Sequence, residues 1–270
     1  MYAIECTHRH IEELTLNHWQ PLSTSLYDGW VLRFAKGYTK RANSVQAIYP
    51  STLDVHEKIT ACEQLYTSNK LSTIFKITPF VQPEELDQLL QDKGYVVIDR
   101  TIVQLRNLEE LKAPEHLEIH IDEQLTDEWL NHFCRLNAVN AEFRETMTQM
   151  LFNVRAKTGF ITLSVDGVVA ACGLGVVERG VIGLHDIITE PTYRNRGLAE
   201  QMILHLLHWG KNHGAVSSYL QVVENNAPAR RLYAKLGYTD AYSYWYRIKQ
   251  YTQLATLGSY AILESKPEQK

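Results

Sequence analysis

Two kinds of hydrophobic pattern alternate along the chain. Strand-like runs, in which apolar residues alternate with polar ones or form short unbroken stretches, are interleaved with segments of helical spacing. The predicted strands are 28–35, 42–49, 71–77, 95–98, 101–105, 117–121, 160–165, 168–177, 181–188, 217–223 and 242–248. The predicted helices are 9–17, 53–66, 83–90, 127–138, 141–154, 227–236 and one that begins near residue 198. This interleaving predicts an α/β (α+β) protein.

The segment that follows the strand 181–188 has the composition of an anion site. After the turn 190–193, a basic loop runs directly into the helical pattern, with the sequence Arg194-Asn195-Arg196-Gly197-Leu198-Ala199. The first N–H groups of a helix lack intrahelical partners, and the helix dipole adds partial positive charge there. Gly197 allows close approach of the backbone, because it has no Cβ. The loop predicts a phosphate or pyrophosphate site; the alternative is a strand-to-helix turn with two solvated arginines.

A second motif lies on the helix after the strand 217–223. Asn226 is a suitable N-cap, Pro228 is tolerated in the first turn, and Gly237 suits the position after the last turn. Together the two motifs resemble the acyl-CoA-binding core of the GNAT superfamily of N-acetyltransferases, over about residues 115–250. They are Arg194-x-x-Gly197-x-Ala199 and Asn226-x-x-Ala229-x-x-Leu232-Tyr233-x-x-x-Gly237-Tyr238. The resemblance implies a GNAT-like mixed, mainly antiparallel sheet flanked by helices.

The resemblance also implies acetyl-CoA as a cosubstrate and gives each part of the segment a role. The backbone of Ile187, Ile188 and Thr189 would pair with the pantetheine arm. The pyrophosphate would bind the loop Arg194, Asn195, Arg196, Gly197, Leu198 and Ala199. Asn226 would also contact the cofactor. Tyr233 would lie beside the thioester sulfur and protonate the leaving thiolate. Without the resemblance, Tyr233 is interpreted as a buried helix aromatic.

A free amine must lose a proton before it attacks a thioester, so a base or a water chain to one is expected. His185 and Asp186 on the strand 181–188 are the candidates. Strand alternation predicts Gly183, His185 and Ile187 on one face, and Leu184, Asp186 and Ile188 on the other. A hydrogen-bonded strand histidine and a buried hydrogen-bonding aspartate are the alternatives. Glu142 and Glu224 are weaker candidates.

The first part of the chain repeats the second motif without its chemistry. Leu89-Leu90-x-x-x-Gly94-Tyr95 matches the segment that ends at Gly237-Tyr238, and the two glycines are 143 residues apart. Leu90 stands where the second copy has Tyr233, and Pro83 stands where it has Asn226. We therefore predict two similar halves: a degenerate GNAT-like domain at 1–112, a catalytic domain at 115–255 and a tail at 256–270. The first half would be structural or form one wall of the acceptor pocket.

Composition places the chain among globular proteins. Of its 270 residues, 45% are hydrophobic and 21% are charged, and the net charge of −4 argues against nucleic acid as the main partner. The four cysteines, at 6, 62, 134 and 172, are too far apart for a zinc or disulfide pattern, so a cytoplasmic location is expected. Neither a signal peptide nor a membrane span is expected.

Three further groups of residues are expected to have structural rather than chemical roles. His205, His208 and His213 could belong to a metal site, but a solvated helix face is preferred and no metal is expected. The basic tip 36–41 is expected to be a solvated loop; the alternative is that it faces an anionic ligand. The aromatic strand 242–248 is expected to pack in the core or to line an acceptor pocket, and the tail 264–270 is expected to fray.

The sequence thus predicts an acetyl-CoA-dependent N-acetyltransferase that transfers an acetyl group to a primary amine by direct attack in a ternary complex. The acceptor is expected to be a small-molecule or peptide amine. A non-catalytic acyl-CoA-binding sensor or interaction module is one alternative. A transferase that carries acyl or aminoacyl groups to a larger acceptor is another. The sequence indicates neither the acceptor nor the oligomeric state.

Overall fold

The computed structural model describes residues 8–251. Cys6 and the tail expected at 256–270 lie outside this range. The helices are α1 (His8–His18), α2 (Val55–Ser68), α3 (Leu86–Asp92), α4 (Asp127–Leu136), α5 (Ala141–Asn153), α6 (Leu198–Asn212) and α7 (Ala227–Lys235). The strands are β1 (Ser23–Tyr27), β2 (Trp30–Phe34), β3 (Val45–Gln46), β4 (Thr73–Ile77), β5 (Val96–Asn107), β6 (Glu118–Asp122), β7 (Lys157–Val165), β8 (Val168–Glu178), β9 (Val181–Thr189), β10 (Ser217–Val223) and β11 (Thr239–Lys249). Within the described range, no helix combines the length and the apolar character needed to cross a membrane.

All of these strands join one 11-stranded sheet in the order β1-β2-β3-β4-β11-β5-β10-β9-β8-β7-β6. The pairs β3–β4 and β9–β10 are parallel, and the other neighbouring pairs are antiparallel. Helices pack on both faces of the sheet. The predicted α/β (α+β) class, with a mixed and mainly antiparallel sheet, is confirmed.

The two repeated motifs occupy equivalent strand–helix–strand units whose last strands are exchanged. One unit is β4-α3-β5 and the other is β10-α7-β11. However, β11 lies between β4 and β5, and β5 lies between β11 and β10. Each unit therefore completes the main-chain hydrogen bonds of the other. The division near residue 112 stays a prediction, but the strands of the two predicted halves interleave in one sheet.

Apolar side chains form the core on both faces of the sheet. On one face of β7–β10, α6 packs through Met202, Ile203 and Leu206. On the opposite face, α4 and α5 pack against β7 and β8, and the first part of the chain adds Trp19 and Ala42 to the same cluster. Side chains from both predicted halves therefore share one buried cluster.

A buried ion pair anchors α1 to the strands where the units interlock. Lys76 Nζ on β4 lies 2.5 Å from Glu12 Oε2 on α1, and both side chains are buried. Tyr242 Oη on β11 donates to Glu12 Oε1 at 2.7 Å, and Lys76 Nζ lies 3.8 Å from the centroid of the Tyr244 ring. These partners compensate for the loss of hydration around the two buried charges.

The strands of the first part differ most from the predicted ones. The edge strand β1 was not predicted, because its side chains are exposed along almost its whole length and show no alternation. The strand expected at 42–49 is reduced to β3, which follows a 3₁₀ turn at Lys40–Ala42. The two short strands expected at 95–98 and 101–105 form the continuous strand β5, in which Asp99 has a φ of 51°.

The exchange of β5 and β11 predicts that the second half does not fold alone. A fragment of residues 115–251 lacks β5, so the facing edges of β10 and β11 lose their partner strand and the buried side chains of Ile102 and Val103. We expect this fragment to show no cooperative thermal unfolding by circular dichroism. Co-expression with residues 1–112 is the control and should restore a soluble, co-purifying complex. Cooperative unfolding of the fragment at the temperature of the full chain would contradict this prediction.

Candidate functional site

The strands β9 and β10 separate halfway along their length. Their parallel pairing covers Val181–Leu184 of β9 and Ser217–Leu220 of β10, and no pairing continues beyond Leu184. The rest of β9 keeps its hydrogen bonds to β8 on the other edge, where Ile188 and Thr189 face Cys172 and Ala171. The main-chain groups of β9 that face β10 beyond Leu184 are therefore available to an extended ligand.

A β-bulge lies at the point where the strands separate. Leu174 of β8 pairs with His185, and Cys172 pairs with Ile188, so Asp186 and Ile187 lie opposite Gly173 alone. Asp186 has a φ of 49°. A Cβ at position 173 would lie 2.7 Å from Ile187 Cδ1 and 3.3 Å from Ile187 Cα, so glycine is the residue that fits the bulge without displacing Ile187.

The bulge overturns the predicted alternation of β9. Ile187 packs with Leu184 in the cluster under α6, whereas Ile188 packs in the cluster under α4 and α5. The expected faces, with Ile187 beside His185 and Ile188 beside Leu184, are therefore wrong beyond His185. One extra residue shifts every later side chain to the other face of the strand.

Three buried polar atoms on the separated strands lack partners. Asp186 Oδ2 and Thr189 Oγ1 on β9, and Gln221 Nε2 on β10, have no hydrogen-bond partner among residues 8–251. The orientation of the Gln221 amide is set by Tyr244 Oη, which donates to Gln221 Oε1 at 3.0 Å. Buried polar groups are normally hydrogen-bonded, so these atoms suit a gap that receives a polar ligand.

The basic loop connects the end of β9 to the start of α6. Gly197 is the N-cap of α6, with a φ of +79° and no side-chain cap, and space is open around its Cα. Arg194 Nε donates to the carbonyl of Thr189 at 3.3 Å, and the Arg196 guanidinium lies 5.4 Å from the centroid of the Tyr193 ring. Residues 194–197 are exposed. The uncapped N–H groups and the two guanidinium groups fit a phosphate group.

Asn226 and Tyr233 lie on α7, which follows β10. The predicted N-cap is confirmed, because Asn226 Oδ1 accepts a hydrogen bond of 3.2 Å from the amide of Ala229. Tyr233 is partly buried and packs in the same cluster as Ile187 of β9. Burial raises the pKa of Tyr233 to about 12, so its hydroxyl remains protonated at neutral pH.

The candidate base His185 belongs to a buried chain of hydrogen-bonding side chains. His185 Nε2 lies 3.5 Å from Tyr219 Oη, which lies 2.9 Å from His18 Nδ1. His18 Nε2 lies 3.4 Å from Glu178 Oε2, without the geometry of a hydrogen bond. Burial lowers the pKa of His185 well below its ordinary value, and the neighbouring His18 and Arg41 lower it further. His185 is therefore a neutral imidazole within the core.

The other candidate base, Asp186, is partly open to solvent, with 21% of its side chain exposed. Its Oδ1 lies 3.4 Å from Arg41 Nη2, while Oδ2 has no partner in the described chain. Burial raises the pKa of Asp186, and the positive charge of Arg41 opposes this shift. Asp186 therefore combines a buried oxygen that lacks a partner with an elevated pKa, and a raised pKa suits a general base.

The expectation that the basic tip 36–41 is a solvated loop is wrong. Arg41 forms the ion pair with Asp186, and Lys40 Nζ lies 2.8 Å from Asp99 Oδ2. The sequence contains the two basic residues, but the acidic partners are far away along the chain. Only the fold shows that Arg41 belongs beside the candidate base.

The remaining candidates are exposed or bond to main-chain groups. Glu142 is exposed at the start of α5, and Glu224 is exposed in the turn between β10 and α7. His205 Nε2 and His208 Nε2 lie 3.0 Å from the carbonyls of Glu115 and Lys112, so they hold the segment before β6. Among residues 8–251, no group of three or more His, Cys, Asp or Glu residues is arranged to hold a metal ion.

The chain matches known proteins over most of its length. Residues 6–247 match the model of a family described as probable histone acetyltransferase Rv0428c C-terminal. The "Uncharacterized N-acetyltransferase YobR" of Bacillus subtilis (strain 168) is 27% identical over 246 residues, which cover 90% of this chain and 98% of that protein.

Two solved structures show the same fold. A GCN5-related N-acetyltransferase from Kribbella flavida has a TM-score of 0.69 at 15% identity, with 89% of this chain and 94% of that chain covered. A tandem GNAT protein from the clavulanic acid biosynthesis pathway has a TM-score of 0.64 at 12% identity, with 91% and 89% covered.

The buried neutral histidines predict a loss of stability in acid. The pKa values of His18 and His185 are lowered in the folded protein, so the unfolded chain binds more protons once the pH falls below about 6.5. The free energy of unfolding should therefore fall, by at most about 1.4 kcal/mol per pH unit for each histidine. His185→Gln should reduce the slope of the unfolding free energy against pH, measured by urea unfolding between about pH 5 and 7.5.

The matched control is His56→Gln, which changes an exposed histidine on α2 and should keep the slope of the unchanged protein. The comparison uses the slope of the unfolding free energy against pH rather than the free energy at one pH. The substitution at position 185 also removes packing, which lowers the free energy of unfolding at every pH. Equal slopes for His185→Gln and the unchanged protein would show that His185 does not remain neutral in the fold.

Proposed function

Because the chain belongs to the GNAT superfamily of N-acetyltransferases, in the family of the Rv0428c C-terminal domain, we propose that it transfers an acetyl group from acetyl-CoA to a primary amine by direct attack in a ternary complex. The observation that carries the proposal is the gap between β9 and β10. The basic loop and the uncapped start of α6 lie at its open end, and Asp186 lies where it begins.

The two ends of acetyl-CoA suit two parts of this gap. The pyrophosphate binds the amides of residues 195–199 and the guanidinium groups of Arg194 and Arg196. The pantetheine arm contains two amides, and these pair with the main chain of Ile187, Ile188 and Thr189 as an added strand would. Asn226 Oδ1 is already occupied by the cap of α7, so Asn226 offers its Nδ2 donors to the cofactor.

Attack of the amine on the thioester carbonyl produces a tetrahedral intermediate with a negative oxygen. A main-chain N–H of β9 beyond Leu184 is fixed by the pairing with β8 and has no strand on its other side. A donor held in place before the reaction stabilises the developing charge without reorganisation. The bulge at Asp186 gives the main chain the irregular direction that aims such a donor into the gap.

Asp186 is the proposed general base. An amine enters as an ammonium ion near neutral pH and must lose one proton before it attacks. Asp186 Oδ2 lacks a partner, and the raised pKa of this carboxyl favours acceptance of that proton. His185 is less suited, because it is buried and its Nε2 is engaged with Tyr219.

Tyr233 is the proposed general acid. When the tetrahedral intermediate collapses, the bond from carbon to sulfur breaks and the thiolate takes a proton. The hydroxyl of Tyr233 is protonated at neutral pH, and its ring packs in the cluster that contains Ile187 of the splayed strand. These features support Tyr233 on α7 as the proton donor.

The cysteines favour direct attack over an acetyl-cysteine intermediate. Cys172 lies on β8, where it pairs with Ile188 of β9. Burial raises the pKa of Cys172 to about 12, so its nucleophilic thiolate is scarce at neutral pH. The burial of Cys62 and Cys134 also raises the pKa of their thiols.

The first prediction of the proposal concerns the anion loop. Isothermal titration with acetyl-CoA should give one site per chain, and Gly197→Glu should abolish binding, because a carboxylate would face the pyrophosphate. Gly167→Glu is the matched control: Gly167 also has a positive φ, of +74°, with open space around it, but it lies in the β7–β8 turn. Retained affinity in Gly197→Glu would remove the pyrophosphate assignment, and two sites per chain would show that the first half also binds the cofactor.

The second prediction concerns the acid. Tyr233→Phe should keep the affinity for acetyl-CoA and lower kcat by about 100-fold or more, because general acid catalysis commonly contributes that much. The measurement is release of free thiol with acetyl-CoA and a panel of amino acids, an alanyl peptide, spermidine and aminoglycosides.

Tyr238→Phe is the control for Tyr233→Phe. Tyr238 Oη forms a buried hydrogen bond of 2.6 Å with Ser218 Oγ, so its loss should lower stability and leave kcat unchanged. Unchanged turnover of Tyr233→Phe across the amine panel would exclude Tyr233 as the acid. Binding of acetyl-CoA without turnover of any amine in the unchanged protein would favour a sensor over an enzyme.

A further inference from the structure

A loop of the first half is held in a fixed conformation against the candidate site. The loop runs from Ala35 to Asn43, and the buried side chain of Asn43 closes it. Asn43 Oδ1 accepts from the amides of Ala35 and Gly37 at 2.7 and 2.9 Å. Asn43 Nδ2 donates to the carbonyl of Thr39 at 2.8 Å. Because one side chain satisfies three main-chain groups, the loop has a defined shape rather than that of a solvated turn.

The buried guanidinium of Arg33 joins this loop to α1. Arg33 Nη1 donates to the carbonyl of Arg41 at 2.6 Å. Arg33 Nη2 donates to the carbonyls of Leu16, at 3.1 Å, and Trp19. The main chain of Arg41 and of Trp19 is therefore fixed by the same planar group.

The side chain of Arg41 extends from the loop 35–43 to the candidate base Asp186. Its Nη2 lies 3.4 Å from Asp186 Oδ1, and its guanidinium lies 4.7 Å from the centroid of the Trp19 ring. Trp19 is held in turn, because its Nε1 donates to Thr39 Oγ1 at 3.1 Å and its ring stacks on His185 at 6.3 Å. Arg41 thus lies between an ordered aromatic ring and the Asp186 carboxylate.

The same loop touches the second half at another point. The ring of Tyr38 packs on Phe143 of α5, with 5.5 Å between the ring centroids. Tyr38 and Arg41 therefore cover the region around Asp186 from the side of the first half. The loop forms a wall of the candidate site, and it does so with an aromatic and a charged side chain.

The other titratable groups near Asp186 are uncharged at neutral pH. Burial raises the pKa of Tyr38 and of Cys172, so the phenol and the thiol stay protonated. Cys134, which lies close to both, also has a raised pKa. His185 is neutral, because burial lowers its pKa. Among the described residues that face Asp186, Arg41 is therefore the group that supplies charge.

We propose that Arg41 is a positioning residue for acetyl transfer, by which the first half of the chain orients the Asp186 carboxylate and stabilises its ionised form. The inference rests on the proposed function, in which Asp186 takes the proton of the amine. With Oδ1 held by Arg41, the partnerless Oδ2 is the oxygen that accepts this proton. The first half is then part of the catalytic unit, although it lacks the cofactor motif.

The direct test is the titration of Asp186 in the full chain. Loss of the Arg41 charge destabilises the ionised carboxylate, so the pKa of Asp186 should rise in Arg41→Gln, by about 1 unit or more, in carbon-13 NMR of aspartate-labelled protein. Because the base acts in its ionised form, the acidic limb of kcat/KM should move to higher pH by the same amount. Arg41→Lys keeps the charge and should show a smaller shift of both.

Lys40→Gln is the matched control. It removes a positive charge from the neighbouring position of the same turn, but Lys40 pairs with Asp99 rather than with Asp186. In Lys40→Gln, the pKa of Asp186 and the acidic limb of the pH profile of kcat/KM should equal those of the unchanged protein. A shift in Lys40→Gln equal to that in Arg41→Gln would overturn the specific role of Arg41.

Chemical rescue separates positioning from folding. The Arg41 side chain is 27% exposed, so a small guanidinium ion can reach its place in Arg41→Ala. Added guanidinium chloride at non-denaturing concentration should restore part of kcat/KM in Arg41→Ala and none in Asp186→Asn. Absence of rescue together with an unshifted Asp186 titration in Arg41→Gln overturns the inference.

Failure of the inference can be distinguished from failure of the proposed function. If the unchanged protein transfers acetyl groups and Arg41→Gln shows neither a shifted Asp186 titration nor a shifted acidic limb, only the role of Arg41 is wrong. If the unchanged protein acetylates no amine of the panel, the proposed function is wrong, and the positioning role is overturned with it.

Discussion

The separation of β9 from β10 after Leu184 is the constraint on which the rest of the structure depends. Main-chain polar groups inside a protein need hydrogen-bond partners, so a sheet that opens in its middle must offer its free edge to something else. The flanking strands keep the opening fixed, because β9 remains paired with β8 and β10 remains paired with β5. Gly173 gives the bulge room, since a Cβ there would lie 2.7 Å from Ile187 Cδ1 and 3.3 Å from Ile187 Cα.

The opening is supported from the first half of the chain as much as from the second. β5 extends along the whole of β10, including the part of β10 that has left β9. Without β5, the strand on that side of the gap would have two free edges. The buried ion pair of Lys76 and Glu12, together with Tyr242, then fixes α1 over the strands where the two units exchange partners. A first half without the cofactor motif is thus required by the geometry of the second half.

Two neighbouring residues show how strongly position decides chemistry. His185 and Asp186 are consecutive, and both were candidate bases. His185 points into the core, where Trp19 and Tyr219 surround it, so its charged form is disfavoured. Asp186 lies on the bulge, partly exposed, with one oxygen near Arg41 and the other without a partner. A regular strand would have placed them on opposite faces, but it would not have given Asp186 this access.

The sequence by itself determined the local parts of this protein. The period of apolar residues predicted most strands and helices, Asn226 and Gly237 marked the ends of α7, and Gly197 marked the start of α6, because caps and turns depend on residues adjacent in the chain. Only the tertiary structure decided the exchange of β5 and β11, the bulge at Asp186, and the contacts of His18 and Arg41 with residues more than a hundred positions away. Those features arise from strand pairing and burial across the whole chain. A pattern of neighbouring residues does not indicate which distant residues come into contact.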